Sequence, residues 1–274
     1  MNENIDLSSN KIKTFICGSV VNCAPYLHNI FSNISSILSL FEDFHIIMSV
    51  DPCCDNTMNI LTDYKKKYGD KMDILYNTNP LSNIRVERIN NSRNRILNQI
   101  RRLNKDFSHF IMLDCDDVCA TKIKPGILSK YLNRDDWDSL SFNRKDYYDI
   151  WALSFHPYMF SCWNFPNAHE VVKNTRIEIQ NQLANIDQDD LLPCYSAFNG
   201  FAIYKLSKFL NCNYSWIIDY SYFTQNIIDQ NVKYTKTMPF KRRPDLDCEH
   251  RAFHFQAIRK NGAKIRISPL YLFE

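Results

Sequence analysis

The 274-residue chain carries 45% hydrophobic residues, 14% aromatics and 23% charged residues, ample apolar material for one large core and an ordinary charged share for a globular domain. Its formal net charge of +3, scattered without a clustered basic face, excludes a nucleic-acid surface and leaves room for a small anionic ligand. The 10 cysteines fall at irregular positions, mostly in apolar strand-like runs, and read as reduced, buried thiols.

Residues 1–13 are polar and mixed in charge, so no signal peptide is read there. No apolar run approaches the roughly 18 residues that a membrane span requires. The expectation is a cytoplasmic chain without a membrane span, in which the sequons at Asn33, Asn90 and Asn213 are chance matches. The bias towards Asn, Ile and Lys suggests an AT-rich genome.

In chain order, the first half alternates β-branched or aromatic runs with helical patterns, as βαβ units of a parallel sheet do. Strands are predicted over 14–21, 45–50, 72–76 and 109–113, with helices over 25–40, 56–68 and 86–103. In the third helix Ile89, Ile96, Leu97, Ile100 and Leu103 recur at helical spacing and predict one apolar stripe facing the sheet. Beyond residue 117 the alternation weakens, and 147–167 is dense in aromatics, Pro and Asn without a period, which predicts irregular, aromatic-lined structure. There follow a helix over 169–184, a strand over 197–204, a helix over 221–229, a basic loop at Lys241-Arg242-Arg243-Pro244, a helix over 247–260 and a final strand over 264–268. Neither a Walker loop nor a GxGxxG run is present, which removes P-loop and dinucleotide readings.

The fourth predicted strand runs directly into Asp114-Cys115-Asp116-Asp117, placing three acids at the carboxyl edge of the sheet, where open α/β sheets bind ligands. Three crowded carboxylates repel one another and call for a cation. Hard oxygen ligands suit Mg²⁺ or Mn²⁺, which keep waters and bridge to phosphate oxygens. In an extended segment Asp114 and Asp116 point one way and Cys115 the other. Asp117 is a further candidate ligand. The plain alternative is a turn of solvated acids or a helix N-terminus favouring Asp116 and Asp117.

Taken together, Cys17-Gly18-Ser19, Ser49-Val50-Asp51, Asn90-Asn91-Ser92-Arg93-Asn94 and Asp114-Cys115-Asp116 resemble a GT-A-type glycosyltransferase. With Tyr148-Asp149-Ile150-Trp151 and Cys248-Glu249-His250 the pattern is similar to the capsule-associated mannosyltransferase-like group and viral relatives. The resemblance implies a single α/β domain of GT-A-like (Rossmann-like) architecture, with a mostly parallel central sheet flanked by helices. A nucleotide-sugar half would span about 12–120 and an acceptor half about 121–274. It further implies a donor site at Gly18, Asp51, Arg93 and Asp114, where Gly18 and Asp51 would touch base and ribose and Arg93 base or diphosphate. The chemistry is compatible: a glycine admits close backbone approach, a carboxylate accepts from base or ribose donors, and a guanidinium forks onto phosphate. Strand punctuation, a turn before Pro52 and a solvated helix residue are the respective alternatives.

By the same resemblance Glu249 is a candidate catalytic base, with Asp149 a second catalytic carboxylate, and His250 or His254 adds a metal ligand. The two histidines stand at i and i+4, on one helical face; the alternative has Glu249 as a first-turn acid favoured by the helix dipole and one histidine in the core. Tyr147, Tyr148, Trp151, Phe160, Trp163 and Phe165 offer an aromatic lining for a glycan acceptor, or a satellite core under long loops. Gly200 would admit close approach of a ligand, and Lys241-Arg242-Arg243 would form either a lid or a solvated loop. The function implied is metal-dependent transfer of a sugar from a nucleotide-diphosphate donor to a hydroxyl acceptor. A haloacid-dehalogenase-type phosphatase, whose DxDxV motif Asp114–Val118 also fits, is a rival, although three βα units precede the motif here. A non-catalytic sugar- or nucleotide-binding module is another.

Overall fold

The structure is a computed structural model and describes residues 12–217, 219–236 and 246–274. One eight-stranded sheet in the order β3-β2-β1-β4-β7-β5-β8-β6 runs through both halves of the chain. Its strands are β1 (Lys13–Val20), β2 (Asp43–Val50), β3 (Met72–Tyr76), β4 (His109–Asp114), β5 (Ser139–Asn143), β6 (Leu192–Cys194), β7 (Phe201–Lys205) and β8 (Ile265–Tyr271). β1, β2, β3 and β4 pair in parallel, β7 lies antiparallel between β4 and β5, β8 returns parallel to β5 and β6 closes the edge antiparallel. The α/β class and mostly parallel sheet are therefore as the sequence predicts.

Both faces are covered, which is why the central strands are apolar at consecutive positions. Phe15, Cys17, Phe110 and Met112 enter one core cluster, whereas Ile16, Ile111, Leu113 and Cys115 enter the cluster on the opposite face. The second face is packed by α1 (Ala24–Ile37), α2 (Thr57–Tyr68) and α4 (Pro125–Leu132), and the first by α3 (Arg85–Leu103), α5 (Ala168–Asn185) and α8 (Glu249–Asn261). The short α6 (Leu206–Phe209) and α7 (Gln225–Thr235) complete the helices of the described residues.

Three departures from the sequence reading have physical causes. The predicted strand over 197–204 begins only at Phe201, because Asn199 and Gly200 both take positive φ, 56° and 86°, and form a turn. The apolar stripe of α3 holds in its second half, where Ile96, Leu97 and Ile100 are buried, but its first half buries Asn90, Ser92 and Arg93. That polar stretch faces a cleft, and Ile89 lines the cleft as well. The strands β5 and β6 are each five residues or fewer, too short for a periodic signal. Among the described residues no helix is long and apolar enough to cross a membrane. The basic loop Lys241-Arg242-Arg243 lies outside the described residues.

Candidate active site

At the carboxyl edge of β1, β2 and β4 two cavities meet. The smaller, about 180 Å³, is lined by Ser19, Val20, Val21, Asp51, Arg88 and Ser92 among others. The larger, about 280 Å³, extends past Tyr148, Asp149, Trp151, Trp163, Arg176 and Glu249. Arg85, Ile89, Arg93, Asp114 and Asp116 line both, so the two form one cleft with the Asp114/Asp116 pair at its waist.

The β4 exit places these acids. Asp114 is the last residue of β4, opposite Ser19 of β1. Cys115 turns away and is buried at 3% exposure in the far core, leaving Asp114 and Asp116 on the cleft side, as the two-residue period of an extended segment requires. Asp116 Oδ1 accepts from the Val118 amide at 3.1 Å and caps a 3-10 turn over Asp117–Cys119. The glycines serve this arrangement. A Cβ on Gly18 would stand 2.3 Å from Cys115 Sγ, and one on Gly200 would stand 2.5 Å from Val118 Cγ1. Gly200 also offers its carbonyl to the Asp114 amide at 2.9 Å. Gly18 lines neither cavity; what its missing side chain admits is Cys115, and what Gly200 admits is Val118.

Arg93 sits at the centre, 4% exposed. It donates to Asp114 Oδ1 at 2.9 Å, and to Glu249 Oε1 and His250 Nε2, with its guanidinium carbon 4.6 Å from the Phe198 ring centre. Burial works against its charge, but Glu249 and Asp114 outweigh that and hold its pKa above the ordinary value. The fork that the sequence reading directs at phosphate is thus committed to protein partners. Burial pushes the Asp114 carboxyl up to about 7, despite the opposing pull of Arg93. Burial also raises Asp116, with Asp117 adding to the effect and Arg85 opposing it.

Asp51 closes the far end of the smaller cavity. Its Oδ1 receives Arg95 at 2.6 Å and the Asn77 amide group at 3.0 Å, while Oδ2 has no hydrogen-bond partner among the described residues. At the other end stand two carboxylates. Glu249, the first residue of α8, is 4% exposed and paired to Arg93. Among the described residues Asp149 accepts only the Ala152 amide, at 3.1 Å, and burial pushes its carboxyl up to about 6. Its backbone is fixed by Asn199, whose Oδ1 accepts from the Tyr148 and Asp149 amides at 2.9 and 3.1 Å and whose Nδ2 donates to the Phe142 carbonyl at 2.8 Å. Tyr148, 45% exposed, and Trp163, 37% exposed, add aromatic surface to this end.

The metal-ligand set is only partly assembled. Asp117 points to solvent and lines neither cavity. His254, wholly buried, has Nδ1 3.0 Å from Ser196 Oγ and Nε2 3.3 Å from Tyr204 Oη, which commits both ring nitrogens to the core. His250 stacks on Phe198 at 3.9 Å and is separated from the aspartates by the Arg93 guanidinium that it faces. Burial holds both histidines below the usual imidazole range, His254 at about 3. Among the described residues no group of three or more His, Cys, Asp or Glu side chains converges as a ready metal cage. Asp114 and Asp116 alone remain, each with an Oδ2 that accepts no hydrogen bond from a described residue. Such a donor pair fits Mg²⁺ or Mn²⁺ carried by a substrate phosphate, since these ions need one or two carboxylates and complete their shells with phosphate and water.

Several contributors escaped the sequence reading. Arg95 and Asn77 on Asp51 carry no motif, and Asn199 beneath Asp149 and Phe198 beneath Arg93 and His250 stand in the stretch 197–201, which the sequence reading makes a strand with a role for Gly200 alone. The available signal was the density of arginines in the first half of α3, at positions 85, 88, 93 and 95, unusual for a helix predicted to pack on a sheet.

No protein-family model and no curated sequence matches the chain. Among solved structures it is similar to residues 1–349 of Staphylococcus aureus TarS, at 11% identity and TM-score 0.48, with 96% of this chain and 59% of that one covered. It is also similar to the mannosyltransferase PcManGT from Pyrobaculum calidifontis in complex with GDP-Man and Mn²⁺, at 12% identity and TM-score 0.41, covering 93% of this chain and 62% of that one. A third likeness is to Mycobacterium tuberculosis glucosyl-3-phosphoglycerate synthase, at 10% identity and TM-score 0.41, covering 74% of this chain and 60% of that one. The chain thus spans less than two thirds of each of these structures. At such identities the assignment of function rests on the geometry of the cleft.

Proposed function

We propose that the protein is a GT-A-type glycosyltransferase that takes a sugar from a nucleotide-diphosphate donor and passes it to a hydroxyl of a glycan or similar acceptor. The observation that carries this reading is the two-chambered cleft waisted at Asp114 and Asp116, with Asp51 at one end and Asp149 and Glu249 at the other. A nucleoside suits the smaller chamber, where Asp51 offers a carboxylate oxygen without a partner among the described residues. The sugar and acceptor suit the larger one, whose Tyr148, Trp151 and Trp163 rings complement the apolar faces of sugars. The diphosphate then crosses the waist.

Asp114 and Asp116 would hold Mn²⁺ or Mg²⁺, which when bound supplies charge neutralisation for the departing diphosphate. As the acceptor oxygen bonds to the anomeric carbon, the bond from that carbon to the diphosphate oxygen breaks, and the hydroxyl proton passes to a carboxylate. We assign the base role to Asp149. Glu249 is tied to Arg93, whereas Asp149 holds a raised pKa and a carboxylate oxygen without a described partner. Glu249 then serves to fix Arg93 under the waist.

Incubation of the purified protein with UDP-, GDP- and dTDP-sugars, with and without Mn²⁺, tests the reading by release of free nucleoside diphosphate. Release that needs both metal and Asp116 supports it. Phosphate release from simple monoesters would point instead to the phosphatase, and affinity without turnover to a binding module.

A further inference from the structure

Several arginines stand in or beside the cleft, and their bonding separates them. Arg93 is spent on Asp114, Glu249 and His250. Arg95 donates to Ser49 Oγ at 3.0 Å and to Asp51 at 2.6 Å. Arg88 donates to the Ser82 carbonyl at 2.7 Å and lines only the smaller chamber of the cleft. Arg176 donates to the Tyr147 carbonyl at 3.3 Å and lines only the larger. Arg85, the first residue of α3, lines both chambers, and its side chain makes no hydrogen bond or ion pair to any described residue.

We infer that Arg85 is the cationic side chain that binds the donor's diphosphate at the waist of the cleft. This deepens the nucleotide-sugar reading and rests on it. A ligand with its nucleoside in one chamber and its sugar in the other must lay its phosphates across the residues common to both. Of those, Ile89 is apolar, Asp114 and Asp116 are anionic, and Arg93 has both terminal guanidinium nitrogens engaged and its Nε buried without a described partner. Arg85 alone brings a planar set of uncommitted N–H groups, matched to phosphate oxygens.

The test is titration calorimetry of the full chain with UDP and GDP in the presence of Mn²⁺, for wild type, Arg85→Ala and Arg85→Lys, alongside saturation-transfer NMR with uridine and guanosine. Loss of one charge-assisted contact predicts roughly a tenfold or greater weakening of nucleoside diphosphate binding in Arg85→Ala. Partial recovery is expected in Arg85→Lys, with nucleoside binding unchanged in all three. Arg85 is exposed, so the variants keep the fold, which equal melting temperatures will confirm. Equal diphosphate affinity in wild type and Arg85→Ala overturns the assignment while leaving the transferase reading intact. Absence of nucleoside diphosphate binding by the wild-type protein overturns both.

Discussion

One guanidinium, that of Arg93, bridges Asp114 at the end of β4 and Glu249 at the start of α8. A single buried cation therefore joins the waist of the cleft to the Glu249 end of its larger chamber, and the two halves of the chain are closed on each other by charge as well as by the shared sheet.

Removing that cation leaves two carboxylates in a poorly solvated site, the situation in which a broken buried pair costs most. Arg93→Met is expected to lower stability by about 3–5 kcal/mol and to abolish turnover, read by urea unfolding and by nucleotide release. Arg93→Lys, with one ammonium for a fork that serves three partners, should recover only part of either.

Asp149 sets a pH dependence. Its carboxyl titrates near 6 in the folded protein against an ordinary 3.8. Between those values the native state holds a proton that the unfolded chain has lost, so its contribution to stability declines as pH rises from about 4 to about 6. Asp149→Asn lacks this titration. Relative to wild type it should gain on the order of 1–3 kcal/mol across that window, measured as the difference between denaturation curves at pH 4 and pH 7. The same ionisation turns on a base, so wild-type turnover should climb through about pH 6, and Asp149→Asn should be inactive at every pH.

Asn199 holds the Tyr148 and Asp149 amides from a left-handed backbone position. Asn199→Ala unmakes three hydrogen bonds and strains that φ, so a loss of about 2–3 kcal/mol is expected. Asn199→Gly, which relieves the strain without restoring the bonds, should recover only the strain share of that loss and leave turnover low, since Asp149 is no longer fixed.

Gly18 and Cys115 are coupled by space. A methyl group at position 18 collides with Cys115 Sγ, and overpacking of this kind costs about 1–3 kcal/mol. In a Cys115→Ala background Gly18→Ala should cost at least about 1 kcal/mol less, as a double-mutant cycle of unfolding free energies will show.

Periodicity made the four parallel strands, the helices between them and the acids at the β4 exit legible, because a doubly covered sheet needs unbroken apolar runs and the edge of such a run is a defined place. Asp51, Arg93, Asp149 and Glu249 could be named only through the resemblance of their motifs to a known family, and all four line one cleft. Their partners could not. Asn199 acts through a turn whose φ values no spacing encodes, and Arg85, Arg93 and Arg95 lie within eleven residues of one helix yet face three different environments. The histidines misled for the reason that makes helical spacing informative: i and i+4 share a face, and here that face is the core, where Ser196 and Tyr204 satisfy His254 and Arg93 and Phe198 hold His250.

The central claim is that Asp114 and Asp116 meet a diphosphate through a divalent cation. A crystal structure of the protein with Mn²⁺ and UDP or GDP tests it most directly. The account predicts manganese density against the carboxylates of Asp114 and Asp116, with the nucleoside towards Asp51 and the phosphates between Arg85 and the metal. Nucleotide bound elsewhere, with both aspartates open to bulk water and no metal beside them, would contradict it.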